Sequence, residues 1–207
     1  MTVYVIYGDA ADDTISSNNA TYSTARAGSG LGLDGSTGTA NLVGQEPGFF
    51  VYQGFIGFDT SGVAGVIGSA VLSLQFSNDF STTDFDIEAR LKDWGVSVTT
   101  ADWTAGASLG GLTLLANKNT STISTSGYHD FVDSAMVANI NTSGFTRMVL
   151  CSSRQRNNNS PSSNEYVLFR TGDTSGTSQD PKLTVTTVDP AGVLRPSIRN
   201  VLHNLIR

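Results

Sequence analysis

Lysine is nearly absent from this chain of 207 residues; Lys92, Lys118 and Lys182 are the whole complement. Charged residues make up 14% of the sequence, against roughly 25% in an average soluble chain. Acids outnumber bases 18 to 12, leaving a net charge of -6 and a pI near 4.7. A phosphate-binding groove needs a surplus of Lys and Arg, so nucleic acid is excluded as a partner. Cysteine occurs once, at Cys151, which rules out an intramolecular disulfide and a CxxC-type zinc scaffold. The strand-like run Phe145–Cys151 makes it a buried thiol, because a free cysteine packs as a small hydrophobe. No stretch approaches ~18 consecutive apolar residues, so no membrane-spanning helix is expected. The start, Met1-Thr2-Val3-Tyr4-Val5-Ile6-Tyr7, has no basic n-region and no small-residue cleavage site. It reads as a first strand, and synthesis in a cytoplasm without a cleaved signal is the expectation.

Glycine fills 22 positions, and Ser, Thr and Asn fill much of the rest, so the polar surface is made of hydroxyls and amides. Apolar residues still reach 39%, with 10 Phe, 6 Tyr and 2 Trp, enough mass to offset chain entropy and exclude general disorder. The dominant period is two. Gly48–Phe58 is aromatic and β-branched, with glycines suited to bulges or close sheet packing. Ser69–Phe76 puts Ala70, Leu72, Leu74 and Phe76 on one face. Phe85, Ile87, Ala89 and Leu91 alternate with Asp84, Asp86, Glu88 and Arg90, which predicts a strand with one wet face. Further strands are expected at Tyr128–Val132, Phe145–Ser152, Glu165–Arg170 and Leu183–Val188, separated by turn-rich segments at Gly28–Gly44, Thr99–Gly111 and Arg154–Asn164. Many strands with almost no helix predict an all-β, antiparallel β-sandwich over residues 1–188. Asp133–Ile140 is the one internal helical candidate.

Residues 189–207 differ. A breaker cluster at Asp189-Pro190-Ala191-Gly192 precedes Pro196–Arg207, where Ile198, Val201, Leu202, Leu205 and Ile206 recur with helical spacing. Pro196 suits a first helical turn. A helix this short needs a surface for its apolar stripe, either on its own sandwich or on a partner. These five residues are the candidate docking set.

Enzymatic chemistry finds little support. His129 and His203 are the only histidines, and neither lies in a motif that makes a base or a ligand. No HExxH, Walker loop or dinucleotide fingerprint occurs, and Gly106-Ala107-Ser108-Leu109-Gly110 lacks the strand-to-helix context of a nucleophile elbow. Asp12-Asp13 and Asp84, Asp86 and Glu88 could serve as paired carboxylates, although a solvated strand face accounts for Asp84–Glu88 better. No cofactor is expected; Asp12, Asp13 and Asp173 could ligate Ca²⁺ through loop oxygens. Sugar binding is the chemistry that the composition permits, since aromatic rings stack on pyranose faces while amides and guanidinium groups bond hydroxyls. The candidates are Trp94, Trp103, Tyr52, Tyr128, Arg154 and Arg156. Against this, Trp94 and Trp103 sit near strand ends beside Asp93 and Asp102, where they could cap the hydrophobic core.

Several ordered segments share a pattern. Asp13-Thr14-Ile15 with Asn19 and Tyr22 is followed by Gly54-Phe55-Ile56-Gly57-Phe58-Asp59 and Ile67-Gly68-Ser69-Ala70-Val71-Leu72-Ser73-Leu74. Asp93-Trp94, Asp102-Trp103-Thr104, Tyr128-His129-Asp130-Phe131-Val132, Phe169-Arg170-Thr171 and Asp180-Pro181-Lys182-Leu183-Thr184-Val185 come next. This order resembles the DNRLRE-type (disaggregatase-related, carbohydrate-binding-module-like) β-sandwich domains over residues 12–188. The long loops Gly28–Gly44 and Arg154–Asn164 depart from that family's pattern, and the C-terminal helix is not part of it. The resemblance implies a jelly-roll winding and carbohydrate or cell-surface binding. Together these features lead to the expectation of a non-enzymatic virion structural protein of a bacteriophage, as a capsid decoration, head-fibre or tail component. Its partners would be other virion proteins, further copies of itself and a host-surface glycan. The alternative is a secreted, extracellular polysaccharide-binding module.

Overall fold

A computed structural model describes residues 1–34, 40–172 and 176–188. Thirteen strands form two antiparallel sheets. In chain order they are β1 (Thr2–Tyr7), β2 (Asp13–Asn18), β3 (Leu31–Leu33), β4 (Ala40–Glu46), β5 (Phe50–Asp59), β6 (Val66–Leu74) and β7 (Phe76–Asp79). Then come β8 (Asp86–Leu91), β9 (Leu114–Asn119), β10 (His129–Val132), β11 (Phe145–Ser152), β12 (Glu165–Arg170) and β13 (Lys182–Val188). The four-stranded sheet runs β1-β13-β6-β10; the nine-stranded sheet runs β7-β12-β4-β5-β11-β8-β9, with β2 paired to β5 and β3 to β2. The all-β, antiparallel sandwich expected from the sequence is the fold. Its strand order is the one given, and no jelly-roll winding is assigned to it. The candidate helix after Pro196, with Ile198, Val201, Leu202, Leu205 and Ile206, lies outside the described residues, as does Asp173.

Alternation accounts for the main core. Ala70, Leu72 and Leu74 from β6 and Phe76 from β7 are all buried between the sheets. They meet Ile56 and Phe58 of β5, Met148 and Leu150 of β11, and Val167 and Phe169 of β12. Gly54 makes room for this: a Cβ there would come within 2.8 Å of the Phe169 ring.

The opposite face of the large sheet is covered as well. Ile15, Phe55, Val149, Trp94 and Val98 form a second cluster, and Tyr22, Ala25 and Val51 a third. The cover consists of the helix α1 (Tyr22–Ala27) and the segment after β8, which contains single 3-10 turns at Thr100–Asp102 and Leu109–Gly111. Gln53 of β5 pins that segment, donating to Thr104 O at 2.7 Å and accepting from Thr104 N at 3.1 Å. Arg26 of α1 reaches the carbonyls of Gln155 and Arg156 in α3 (Ser153–Arg156).

This cover corrects the wet face expected for β8. Glu88 and Arg90 are 2% and 5% exposed, because the face opposite Ile87 and Ala89 is roofed rather than solvated. The remaining helix, α2 (Ser134–Ala138), falls inside the expected helical segment; the Asp133 side chain caps it by accepting from Ala135 N at 2.8 Å, as an N-cap aspartate does.

Candidate functional site

A half-open cleft of about 510 Å³ lies where β8 ends and β11 begins. Alternation along β11 puts Phe145 and Arg147 on the same face. Leu91 ends β8, and the chain turns there through Lys92, Asp93 and Trp94; Lys92 N donates to Arg147 O at 3.2 Å. The other wall comes from Asn139 and Asn141, at the end of α2 and in the turn after it, and from Leu112.

Arg147 is the centre of the cleft. Its guanidinium carbon sits 5.0 Å from the Trp94 ring centroid and 4.4 Å from that of Phe145, so the cation is held against two aromatic faces. Nη1 lies 3.1 Å from Asp93 Oδ1. That carboxyl is held below its usual range first by the Gly95 N–H and then by Arg147. The Arg147 side chain is 15% exposed, and its Nε is buried with no hydrogen-bond partner. Gly57 keeps the stack close, since a Cβ there would come within 3.0 Å of the Trp94 ring.

The amides on the opposite wall are held in place. Asn139 Nδ2 donates to Ala135 O at 2.7 Å, and Asn141 Nδ2 donates to Phe145 O at 3.1 Å. Asn141 Oδ1 accepts from Ser143 N at 3.1 Å. Lys92 makes no ion pair among the described residues. A fixed planar cation, a half-buried phenyl ring, two oriented amides and an unpaired ammonium are the groups that bind a small, rigid, hydroxyl-rich ligand. None of them is a poised nucleophile.

The residues singled out from the sequence fall in several places. Trp94 is 4% exposed; it supports Arg147 from below rather than offering a face to solvent. Trp103 is half-buried and packs against the second and third clusters, so both tryptophans contribute to the core. Tyr52 is 6% exposed and donates to Glu46, not the exposed ring expected. Burial raises its phenol pKa, and the Glu46 hydrogen bond adds to the rise. Tyr128 lies just before β10 of the other sheet, where its hydroxyl donates to Asp180 O at 2.9 Å and Lys182 Nζ sits 3.8 Å over its ring.

Arg154 and Arg156 are engaged rather than free. Arg154 Nε pairs with the buried Glu165 carboxylate. Arg156 Nη2 lies 2.7 Å from Glu88 Oε1, and Arg90 Nη2 lies 2.9 Å from Glu88 Oε2. Arg90 Nη1 also donates to Leu112 O at 2.7 Å, which ties this triad, with Glu88 and Arg90 buried and Arg156 half-exposed, to the cleft wall.

The calcium candidates are occupied by backbone: Asp12 Oδ1 accepts from Gly57 N at 2.9 Å and Asp13 Oδ1 from Thr14 N at 2.7 Å. Among the described residues, no three His, Cys, Asp or Glu come together in a way that could hold a metal. No helix among them is long and apolar enough to cross a membrane. His129 turns its Nε2 to Ser124 O at 3.0 Å and packs its ring on Phe76. Cys151 is buried, and burial pushes its thiol up to about 12.

No known family model matches the chain, and no curated protein matches it.

Lys92, Asn139, Asn141, Phe145 and Arg147 were not among the sequence candidates. A faint signal existed: Phe145-Thr146-Arg147 places an aromatic and a cation on one strand face just after a Thr-Ser-Gly turn. Their meeting with Trp94, some fifty positions earlier in the chain, depends on β8 pairing with β11 from Leu91↔Met148 to Ile87↔Ser152.

Proposed function

We propose that the protein is a non-enzymatic structural component of a bacteriophage virion, exposed as a capsid decoration, head fibre or tail part, which contacts a host-surface glycan through the Arg147 cleft. The observation that carries the glycan contact is the guanidinium held between Trp94 and Phe145 at an open cleft edged by Asn139, Asn141 and Lys92. Preorganised donors beside an apolar ring lower the entropy cost of binding a hydroxylated ligand. The resemblance to DNRLRE-type sandwiches points the same way, towards carbohydrate. A virion location is supported by the hydroxyl- and amide-rich, lysine-poor composition on a roofed sandwich. A non-enzymatic role is supported by the engagement of the buried carboxylates Glu88 and Glu165 with arginines.

The test has two arms. Electron microscopy of the full chain, alone and with its source particle, reads assembly: a symmetric shell, a fibre or particle decoration supports the virion role. A monomer that binds glycan and no particle supports the alternative of a secreted polysaccharide-binding module. A glycan array reads the cleft: hits lost in Arg147→Gln support the contact, and hits untouched by that change, or no hits, refute it.

A further inference from the structure

The outward face of the four-stranded sheet carries a set of exposed apolar side chains that the glycan reading leaves unused. Val3, Val5 and Tyr7 of β1 are 53%, 50% and 40% exposed; Val66, Val132 and Val188 are 54%, 66% and 42% exposed. Register places them together, because residues directly opposite on paired strands share a face. Val3, Val5 and Tyr7 face Thr186, Thr184 and Lys182. Thr184 in turn faces Val71, which faces Val132. Regular alternation along β13 keeps Val188 on this side, and the extra residue of β6 at the register shift brings its partner Val66 there too. The alternate residues Leu72, Phe131, Leu183 and Val185 turn inward to the core. Charge on the outer face is confined to one cross-strand row, at Lys182 and Asp130. The rest is a smooth surface of Val, Thr and Ser.

We propose that this face receives the chain's own C-terminal segment, residues 189–207, with the stripe Ile198, Val201, Leu202, Leu205 and Ile206 laid across the valines. That segment lies outside the described residues, and the argument rests on the exposed face, on where β13 ends and on the sequence that follows. β13 ends at Val188, itself one of the exposed side chains. As a helix, the twelve residues from Pro196 would span about 18 Å at 1.5 Å per residue. The six residues of β1 span about 20 Å at 3.3 Å per residue. The connection from Asp189 to Arg195 reaches up to about 23 Å when extended, and four strands at 4.8 Å spacing are about 14 Å across. The segment therefore has both the reach and the length to return over the sheet. A tether this short gives an effective concentration of order millimolar, so docking on its own sheet prevails over docking on a second copy in dilute solution. The opposite stripe, Arg199, Asn200, His203 and Asn204, then faces water.

The test uses the full chain with Asn204→Cys carrying a nitroxide, on the stripe that faces water; Cys151 is buried and its thiol protonated, so it stays unlabelled. Amide spectra of the ¹⁵N-labelled protein should lose intensity in Thr2–Tyr7 and Lys182–Val188, unchanged on dilution with unlabelled protein. Adding Val5→Asp should restore that intensity. A nitroxide at Asn200→Cys, also on the water-facing stripe, gives a second, independent reading. No loss on these strands overturns the proposal. So does loss seen only when a nitroxide chain without ¹⁵N is mixed with an unmodified ¹⁵N chain, since the segment then docks on another copy.

Discussion

Glu88 receives both Arg90 and Arg156 in a site where its side chain is 3% exposed and that of Arg90 7%. Buried ions of this kind are tolerated because each has a partner, and removing one partner leaves an uncompensated charge. Glu88→Gln is therefore expected to destabilise the fold by about 3–5 kcal/mol, measured by urea unfolding. A change within experimental error would show that the triad opens to water. The same neighbourhood has a pH signature. Burial raises the Cys151 thiol from 9.0 to about 12, and burial likewise raises the Tyr22 phenol from 10.0 to about 12. Both groups are neutral when protonated, so the unfolded chain releases these protons first as pH rises. Their contribution is intact below pH 9, then declines above it by up to about 1.4 kcal/mol per pH unit for each proton. Thermal melts from pH 7 to 11 check the sign: the midpoint should fall only on the alkaline side, and less in Cys151→Ala than in the parent.

At the scale of elements, the segment from Trp94 to Leu112 has almost no regular structure, yet it covers the large sheet over Ile15, Phe55 and Val149. Gln53 holds it through two backbone bonds to Thr104. Gln53→Leu would leave a buried N–H and a buried C=O unpaired, at about 1–3 kcal/mol each. Hydrogen exchange should accelerate across residues 94–112 while β5 and β11 stay protected; uniform acceleration would show that the segment is integral to the sheet. Trp94→Ala removes the lower ring of the Arg147 stack and a buried aromatic, a loss of about 3–5 kcal/mol. Several strands were readable: Phe145–Ser152 and Glu165–Arg170 follow from period-two patterning, whereas β3 and most of β4 lie in Gly28–Gly44, expected to be turns, and β9 was not expected. The roof was not, because a turn-rich stretch such as Thr99–Gly111 has no periodicity to betray burial of Leu109. For the same reason β8 looked half-wet from its alternation, although Glu88 and Arg90 are buried. The short helix α1 falls where no element was expected, and α3 overlaps the segment Arg154–Asn164 expected to be turns.

Across the whole molecule, the two sheets leave surfaces of opposite kinds. The large sheet is roofed and opens at the Arg147 cleft, where polar groups converge. Among the described residues, the small sheet presents a face of exposed valines interleaved with threonines. Composition carried the class of fold and the neutral coat, while both surfaces emerged only from register, which unites Trp94 with Arg147 and Val5 with Val132. Of the expected ligand set, only Trp94 lies at the cleft, and it acts there as a support. The decisive measurement is equilibrium binding of the parent and of Arg147→Gln to immobilised glycan hits, with matched thermal melts. An exposed ion pair with Asp93 and two cation–π contacts predict a stability change of order 1–2 kcal/mol, so the variant should remain folded. Charged hydrogen bonds of about 1.5–3 kcal/mol predict binding weaker by roughly tenfold or more. Binding retained at the parental level by the folded variant would contradict the assignment of this cleft.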